Sequence, residues 1–291
     1  MLKGVIAVFL GAVSYGILST IAKMSYDKGY DANHATLFQV VFGFALLLLI
    51  SLFQKHKFQF NQVSNKDWLN LLFGGLTIAL TSLFYYSCVQ YVPASIGIIL
   101  LFQFVWMGFL LDFLFNKEKP SRLQLLALVV LLSGTFLASG GINAFRDGLL
   151  NAEGVILGLL AALCYASYIF INGRLKVKIT PISKSMVMMG VSSIVVLILL
   201  GNKLNDSSFI NMEFLAYGIP LALFGAVIPP ILFAYGVPKI GVTYSSILSS
   251  VELPVAVLFS IAMLNEQVSS IQWLGISLII IAILGVTFFK K

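Results

Sequence analysis

Ten runs of about twenty predominantly apolar residues, spread along the whole chain, restrict what this sequence can fold into more than any other feature. A helix rising 1.5 Å per residue needs roughly 20 residues to cross the ~30 Å hydrocarbon core of a bilayer. The runs are approximately Gly4–Met24, Asn33–Phe53, Leu69–Val89, Ala94–Phe115, Leu123–Ser139, Gly154–Gly173, Lys184–Gly201, Phe214–Ala234, Thr243–Leu264 and Ile271–Phe289. The first exceeds a signal-peptide core and lacks a small-x-small cleavage site, so it reads as a span. Stretches such as Leu46–Ile50 and Leu278–Ile283 show no polar alternation, which rules out barrel strands. Helices are then the way to satisfy backbone groups in lipid. The turn signals Lys119-Pro120-Ser121, Gly140-Gly141 and Thr180-Pro181 all fall between runs. The expected fold class is an all-α integral membrane protein with ten transmembrane helices.

Composition supports that class and removes others. With 59% hydrophobic and 10% charged residues, the chain cannot solvate a globular surface, which takes roughly 25% charge. The net charge of +7 resides in short loops, with no basic stripe interleaved with aromatics, so no nucleic acid is expected as partner. Cys88 and Cys164 lie in apolar runs and imply neither a metal site nor a disulfide. Lys and Arg accumulate on the cytoplasmic side of a membrane. With the N-terminus inside, only Lys23, Lys28, Arg146 and Lys203 fall outside, leaving fourteen of the 18 basic residues inside. The reading is a multi-pass protein of the plasma membrane with both termini cytoplasmic.

The ten runs divide into two similar sets. An offset of 150 pairs Gly4 with Gly154, Val5 with Val155, Leu10 with Leu160, Ala12 with Ala162 and Tyr15 with Tyr165. An offset of 148 pairs Val89 with Val237, Leu100 with Leu248, Glu118 with Glu266 and Gln124 with Gln272. The expected units are residues 1–140 and 151–291. Five spans per unit is odd, so the second copy enters the membrane the other way up, an inverted 5+5 repeat. Such a repeat builds two gates, one per leaflet, from one plan and suits alternating access.

With that layout the chain resembles the drug/metabolite transporter superfamily, and within it the EamA-type ten-helix permeases. The resemblance rests on the five-plus-five order, on Tyr91-Val-Pro-Ala-Ser95 leading into the fourth span, and on Glu118 and Glu266 closing spans four and nine. It rests also on Ser249-Ser-Val-Glu-Leu-Pro254 in the ninth span. It implies a central cavity lined by both halves, peripheral fifth and tenth helices, and export of amino acids or related metabolites. Where the family's second span often has Arg, this chain has Gln39, which argues against an anionic substrate.

Candidate substrate-binding residues are the polar and aromatic groups within spans: Tyr15, Gln39, Ser82, Tyr86, Gln103, Trp106, Tyr165 and Glu252. Glu252 is the sharpest, because a carboxylate near the midplane costs on the order of 2.5–3.5 kcal/mol unless water, a cation or a proton relieves it. It is the candidate for proton coupling or for holding a substrate ammonium; a hydrogen-bonded structural acid is its bland alternative. Gln103 falls one position from Glu252's repeat mate, Phe104, with interhelical hydrogen bonding as the competing role. Trp106 is mid-span, unlike Trp68 and Trp273, which sit near span ends. Pro229, Pro230 and Pro254 interrupt spans eight and nine and are candidate hinges. The first half has no equivalent prolines. Asp112 is expected to pair with Lys117 or Arg122, and Glu118 and Glu266 to cap the helices that follow them.

The function these readings point to is secondary active or facilitative transport, chiefly export, of a small neutral, zwitterionic or cationic metabolite such as an amino acid. Phosphorylated substrates would need Lys or Arg within the spans. The alternatives are a cationic drug/proton antiporter and a non-gated facilitative channel. The expected partners are a substrate molecule, the lipid bilayer and a coupling proton, with the assembly a monomer or homodimer. His34 and His56 form no zinc or haem motif, and no Walker loop or G-x-S-x-G is present. No cofactor, metal site, catalytic residue or enzyme activity is expected.

Overall fold

The computed structural model describes residues 1–53, 63–92, 94–139, 151–175, 179–202, 212–265 and 267–288. Glu266, His56, the Gly140-Gly141 pair and the loop cations Lys55, Lys57, Arg146, Lys176, Lys178, Lys203, Lys290 and Lys291 lie outside the described residues. The chain is a multi-pass membrane protein with ten spans. They are α1 (Leu2–Asp27), α2 (Ala32–Leu52), α3 (Asn65–Tyr91), α4a (Ala94–Leu101) with α4b (Phe104–Leu111), and α5 (Arg122–Ala138). The second set is α6 (Ala152–Arg174), α7 (Pro181–Leu200), α8a (Leu215–Ala222) with α8b (Ile228–Ile240), α9a (Val242–Ser249) with α9b (Glu252–Leu264), and α10 (Ser270–Phe288). Among the described residues nine are long and apolar enough to cross a bilayer; α5, at 17 residues, is the short one.

Helix ends follow local chemistry. Asp31, Ser64, Asn151 and Thr180 each accept first-turn amides, covering donors that lipid would leave orphaned. Ser121 and Gln124 form a reciprocal capping box at α5, and Ser269 and Gln272 repeat it at α10. Those boxes explain the repeated glutamines. They also correct the reading of Glu118, which is exposed in the connection and caps nothing, because the serine next to the helix takes that role. Lys117 and Asn265, 148 positions apart, both turn left-handed (φ 57° and 54°) to end spans four and nine. Lys184, counted among loop cations, sits in the first turn of α7, buried, and donates from Nζ to the Leu175 carbonyl at the end of α6 (2.8 Å).

Spans four, eight and nine are interrupted. Span four breaks at Phe102–Gln103 and span nine at Ser250–Val251, equivalent positions at the 148 offset. Span eight passes through a π-helical turn, Leu223–Val227. Pro229 and Pro230 stand in the first turn of α8b and Pro254 in that of α9b, where the missing N–H costs little. The first half has no proline at its own break, between Ala94 and Lys119, yet span four is broken too, so proline is not what sets that break. There the Gln103 amide N–H moves to the Leu100 carbonyl (3.1 Å), and the Gln103 side-chain Nε2 donates to the Ile99 carbonyl thus exposed (2.9 Å). Span eight also runs past its expected end at Ala234 to Ile240, leaving Gly241 alone (φ 88°) to connect it to α9a.

Close glycine contacts establish how the halves are related. A Cβ on Gly4 of α1 would meet Gly236, Lys239 and Ile240; one on Gly154 of α6 would meet Cys88, Tyr91 and Val92. Each position in the second list is the repeat mate of one in the first. The start of α1 lies beside the α8b–α9a junction, and so does the end of α6, through Gly173 against Val242. Helices α1 and α6 are therefore antiparallel, as inversion requires. Two further principal pairs, α2 with α7 and α5 with α10, map onto themselves. The α5–α10 pair packs on α9 at the edge of the bundle.

Packing departs from that symmetry on one side. On the side where the chain begins, the terminal side, α9a packs against α6, α4b and α5, and α8b against α6. Symmetry calls for α4a against α1, α9b and α10, and α3 against α1, on the opposite side. Among the described residues these pairs have no comparable contact.

The α5–α10 crossing brings backbone onto backbone: a Cβ on Gly275 would overlap the Ala138 amide and lie 2.6 Å from the Gly134 carbonyl oxygen. Gly275→Leu should cost about 1–3 kcal/mol by overpacking and lower the thermal midpoint in detergent. Gly285→Leu, at a position with nothing within 4 Å, should leave the midpoint unchanged.

Candidate functional site

Tyr15 and Tyr165, repeat mates near the middle of α1 and α6, meet edge to face with ring centroids 6.0 Å apart. Small residues make the approach possible. A Cβ on Gly16 would lie 2.6 Å from the Glu252 carbonyl oxygen, so α1 rests directly on the start of α9b. Tyr15 also meets Phe233 of α8b at 5.8 Å, and Tyr165 meets Phe104 of α4b at 4.6 Å. Phe104 and Glu252 are the first residues after the two breaks, so both interrupted spans deliver a side chain to one pair of tyrosines.

Glu252 is half-buried, and its Oε2 is enclosed without a hydrogen-bond partner among the described residues. The carboxyl is within electrostatic range of Tyr15, Tyr85 and Tyr165. The hydroxyl of Tyr165 is likewise enclosed without a partner among the described residues, and Tyr168 stacks beside it at 6.4 Å. Glu252 opens α9b, and the amides of that first turn favour negative charge beside them. Pro254 removes one of those donors. The arrangement is one carboxylate and the Tyr165 phenol with unused hydrogen-bonding capacity, set against apolar aromatic faces. It can hold a cation by charge and by the rings, or a proton on the carboxyl.

Three of the residues singled out in the sequence thus converge: Tyr15, Tyr165 and Glu252. A second group adjoins them through Tyr85, whose ring centroid lies 5.8 Å from that of Tyr86. Tyr86 donates to Gln39 Oε1 at 3.3 Å, and Gln39 Nε2 borders Gly225 in the π turn of span eight. Ser82, one turn before Tyr86 on α3, is half-buried. A third pair, Gln103 and Trp106, is occupied with itself: Trp106 Nε1 donates to Gln103 Oε1 at 2.9 Å, while the other end of Gln103 seals the span-four break. Trp106 is 37% exposed, on the face that continues through Leu110. The structure does not bring it to Glu252.

Asp112 is buried at the terminal side, and the expected partners Lys117 and Arg122 are not the ones it takes. Its carboxylate accepts from Thr243 Oγ1 (2.7 Å), the Thr243 amide (3.3 Å) and Asn116 Nδ2 (2.8 Å). Sequence reasoning did not choose Tyr85, Phe104, Tyr168 or Phe233 as substrate-binding residues. Two of these carried a usable signal: Phe104 is the repeat mate of Glu252, and Tyr168 is one helical turn from Tyr165.

Comparison with known proteins agrees with this architecture. The model of the EamA-like transporter family matches residues 2–140 and again 152–288. The chain is 24% identical over 298 residues to the uncharacterized transporter YcbK of Bacillus subtilis (strain 168), covering 99% of this chain and 93% of the relative. It is 21% identical over 281 residues to the uncharacterized transporter YwfM of the same organism, covering 96% and 92%. A solved crystal structure at 17% identity superposes with a TM-score of 0.76, covering 97% of this chain and 98% of the other, which establishes a shared fold. Ten apolar spans in two antiparallel sets and a family match across both place this chain in the EamA-like transporter family.

Proposed function

We propose that the protein is a secondary transporter that exports a small zwitterionic or cationic metabolite, amino acids being the leading class, by exposing the Glu252 site to one side of the membrane at a time. The observation that carries this reading is the Glu252 carboxyl, set near the middle of span nine among tyrosines with an enclosed, unpartnered oxygen among the described residues. A buried acid of that kind is costly unless a cation or a proton completes it. A substrate ammonium fits the carboxylate, and the faces of Tyr15, Tyr85 and Tyr165 accommodate an apolar or cationic remainder. Proton coupling follows from the same group, since a proton and an ammonium compete for one carboxylate. The surrounding rings equally favour an aromatic cation, so a cationic drug/proton antiporter is the second reading.

Charge supports a plasma-membrane orientation with both termini cytoplasmic. Among the described residues Lys3, Lys66, Lys117, Lys119, Arg122, Arg174, Lys184 and Lys239 lie on the terminal side, against Lys23 and Lys28 on the other. The protein acts as a monomer or homodimer in this reading.

The test is counterflow with purified protein in liposomes, screened over amino acids, cationic drugs and sugars, with and without a pH gradient. Amines or zwitterions should show saturable counterflow that Glu252→Gln weakens at least about tenfold, with loss of its pH dependence. Unaltered affinity and pH dependence in Glu252→Gln would remove the site from the mechanism. Tyr15→Ala and Tyr165→Ala should each raise the half-saturating concentration by about fivefold, the loss of one aromatic contact.

A further inference from the structure

We propose that Asp112 is the positioning residue that holds the terminal side shut, so that the transporter rests open to the opposite side. The proposal rests on the transport reading above. Gly241 precedes α9a with φ 88° and offers no side chain to cap it, so the first-turn amides of α9a need an acceptor from elsewhere. Asp112 supplies it from span four of the other repeat. Its carboxylate takes the Thr243 amide and hydroxyl together, and Asn116 holds the remaining oxygen. This is a charge-assisted cap that crosses between the halves in a buried setting.

The surrounding packing is built for the same closure. A Cβ on Gly108 of α4b would lie 2.6 Å from Ser246 Oγ, and one on Gly173 of α6 would lie 2.6 Å from Val242, so α9a is clasped on two faces. Among the described residues the opposite side shows none of these devices. The mate of Asp112 is Ser260, whose hydroxyl is bonded to its own Val257 carbonyl. The mate of Gly173 is Lys23, an exposed side chain where the terminal side has none at all. The contacts missing between α4a and α1, α9b and α10 are those these substitutions would disfavour. Opening the terminal side requires Asp112 to leave Thr243, which uncovers a helix terminus and strands a carboxylate.

The experiment reads accessibility and needs no substrate, so an inactive protein in counterflow would not blur it. In a background with Cys88 and Cys164 replaced by Ala, a single reporter is placed at Val237→Cys, packed at the terminal side, or at its mate Val89→Cys. Reconstituted protein is labelled from each side with a membrane-impermeant maleimide. Without further change, Val89→Cys should react and Val237→Cys should not. Adding Asp112→Ala should speed labelling at Val237→Cys by about tenfold and slow it at Val89→Cys. Thr243→Val, which keeps the backbone and removes only the 2.7 Å bond, should shift both in the same directions by less. The reciprocal change is the signature, since simple destabilisation would speed both. Equal labelling in the presence and absence of both substitutions, faster labelling at both positions, or fast labelling of Val237→Cys at the outset overturns the proposal.

Discussion

Hydrocarbon offers a peptide group no hydrogen-bond partner, so every departure from a continuous helix in this protein has to be sealed from within. The seals can be named. The Ile99 carbonyl, exposed where span four breaks, is taken by the Gln103 side chain. The Phe224 carbonyl in the π turn of span eight receives the Ser14 hydroxyl from α1 at 2.9 Å. The start of α9a is taken by Asp112. Each seal uses a polar residue that would otherwise be an unexplained expense in a membrane, and two of the three come from the opposite repeat. In span eight and at the start of α9a the departure from a continuous helix and the contact between halves are thus one feature, because the other repeat completes the open end.

Repetition supplies the frame, and departures from it supply direction. The breaks in spans four and nine, the left-handed terminators Lys117 and Asn265 and the capping boxes recur at an offset of 148, and the glycines that set α1 on α8b and α6 on α3 recur at 150. Acidity does not. Glu252 faces Phe104 across the pseudo-axis, and Asp112 has Ser260 as its mate. A two-fold frame carrying one acid near the middle and another at one end is polar along the membrane normal.

Much of this was legible in the residues. Span number, repeat offset and inversion followed from apolar length, from pairs such as Gln124 and Gln272, and from an odd count of crossings. Glu252 stood out because ionisable groups are rare in such runs. What could not be read was which polar groups are spent on structure. Gln103 looks like a ligand-binding amide until the backbone break beside it is known, and hydropathy carries no trace of that break because Phe102 and Val251 are as apolar as their neighbours. Asp112 illustrates the converse. Its nearest cations in sequence, Lys117 and Arg122, suggested an ion pair, whereas its true partner lies 131 positions away and is fixed only by tertiary packing. Tyr85 and Tyr86 differ by about 100° around α3, and sequence alone does not tell which of the two turns toward the acid.

The junction at Gly241 has a mechanical consequence. One residue connects α8b to α9a, and successive Cα atoms are ~3.8 Å apart, so Ile240 and Val242 can never part by more than about 7–8 Å. The two segments therefore behave as a single bent lever. Phe233 rides on one arm against Tyr15, and Thr243 begins the other arm beneath Asp112. In the proposed cycle, pressure on the tyrosine pair from an occupant would travel along α8b toward the Asp112 contact, with a lone glycine as the elbow.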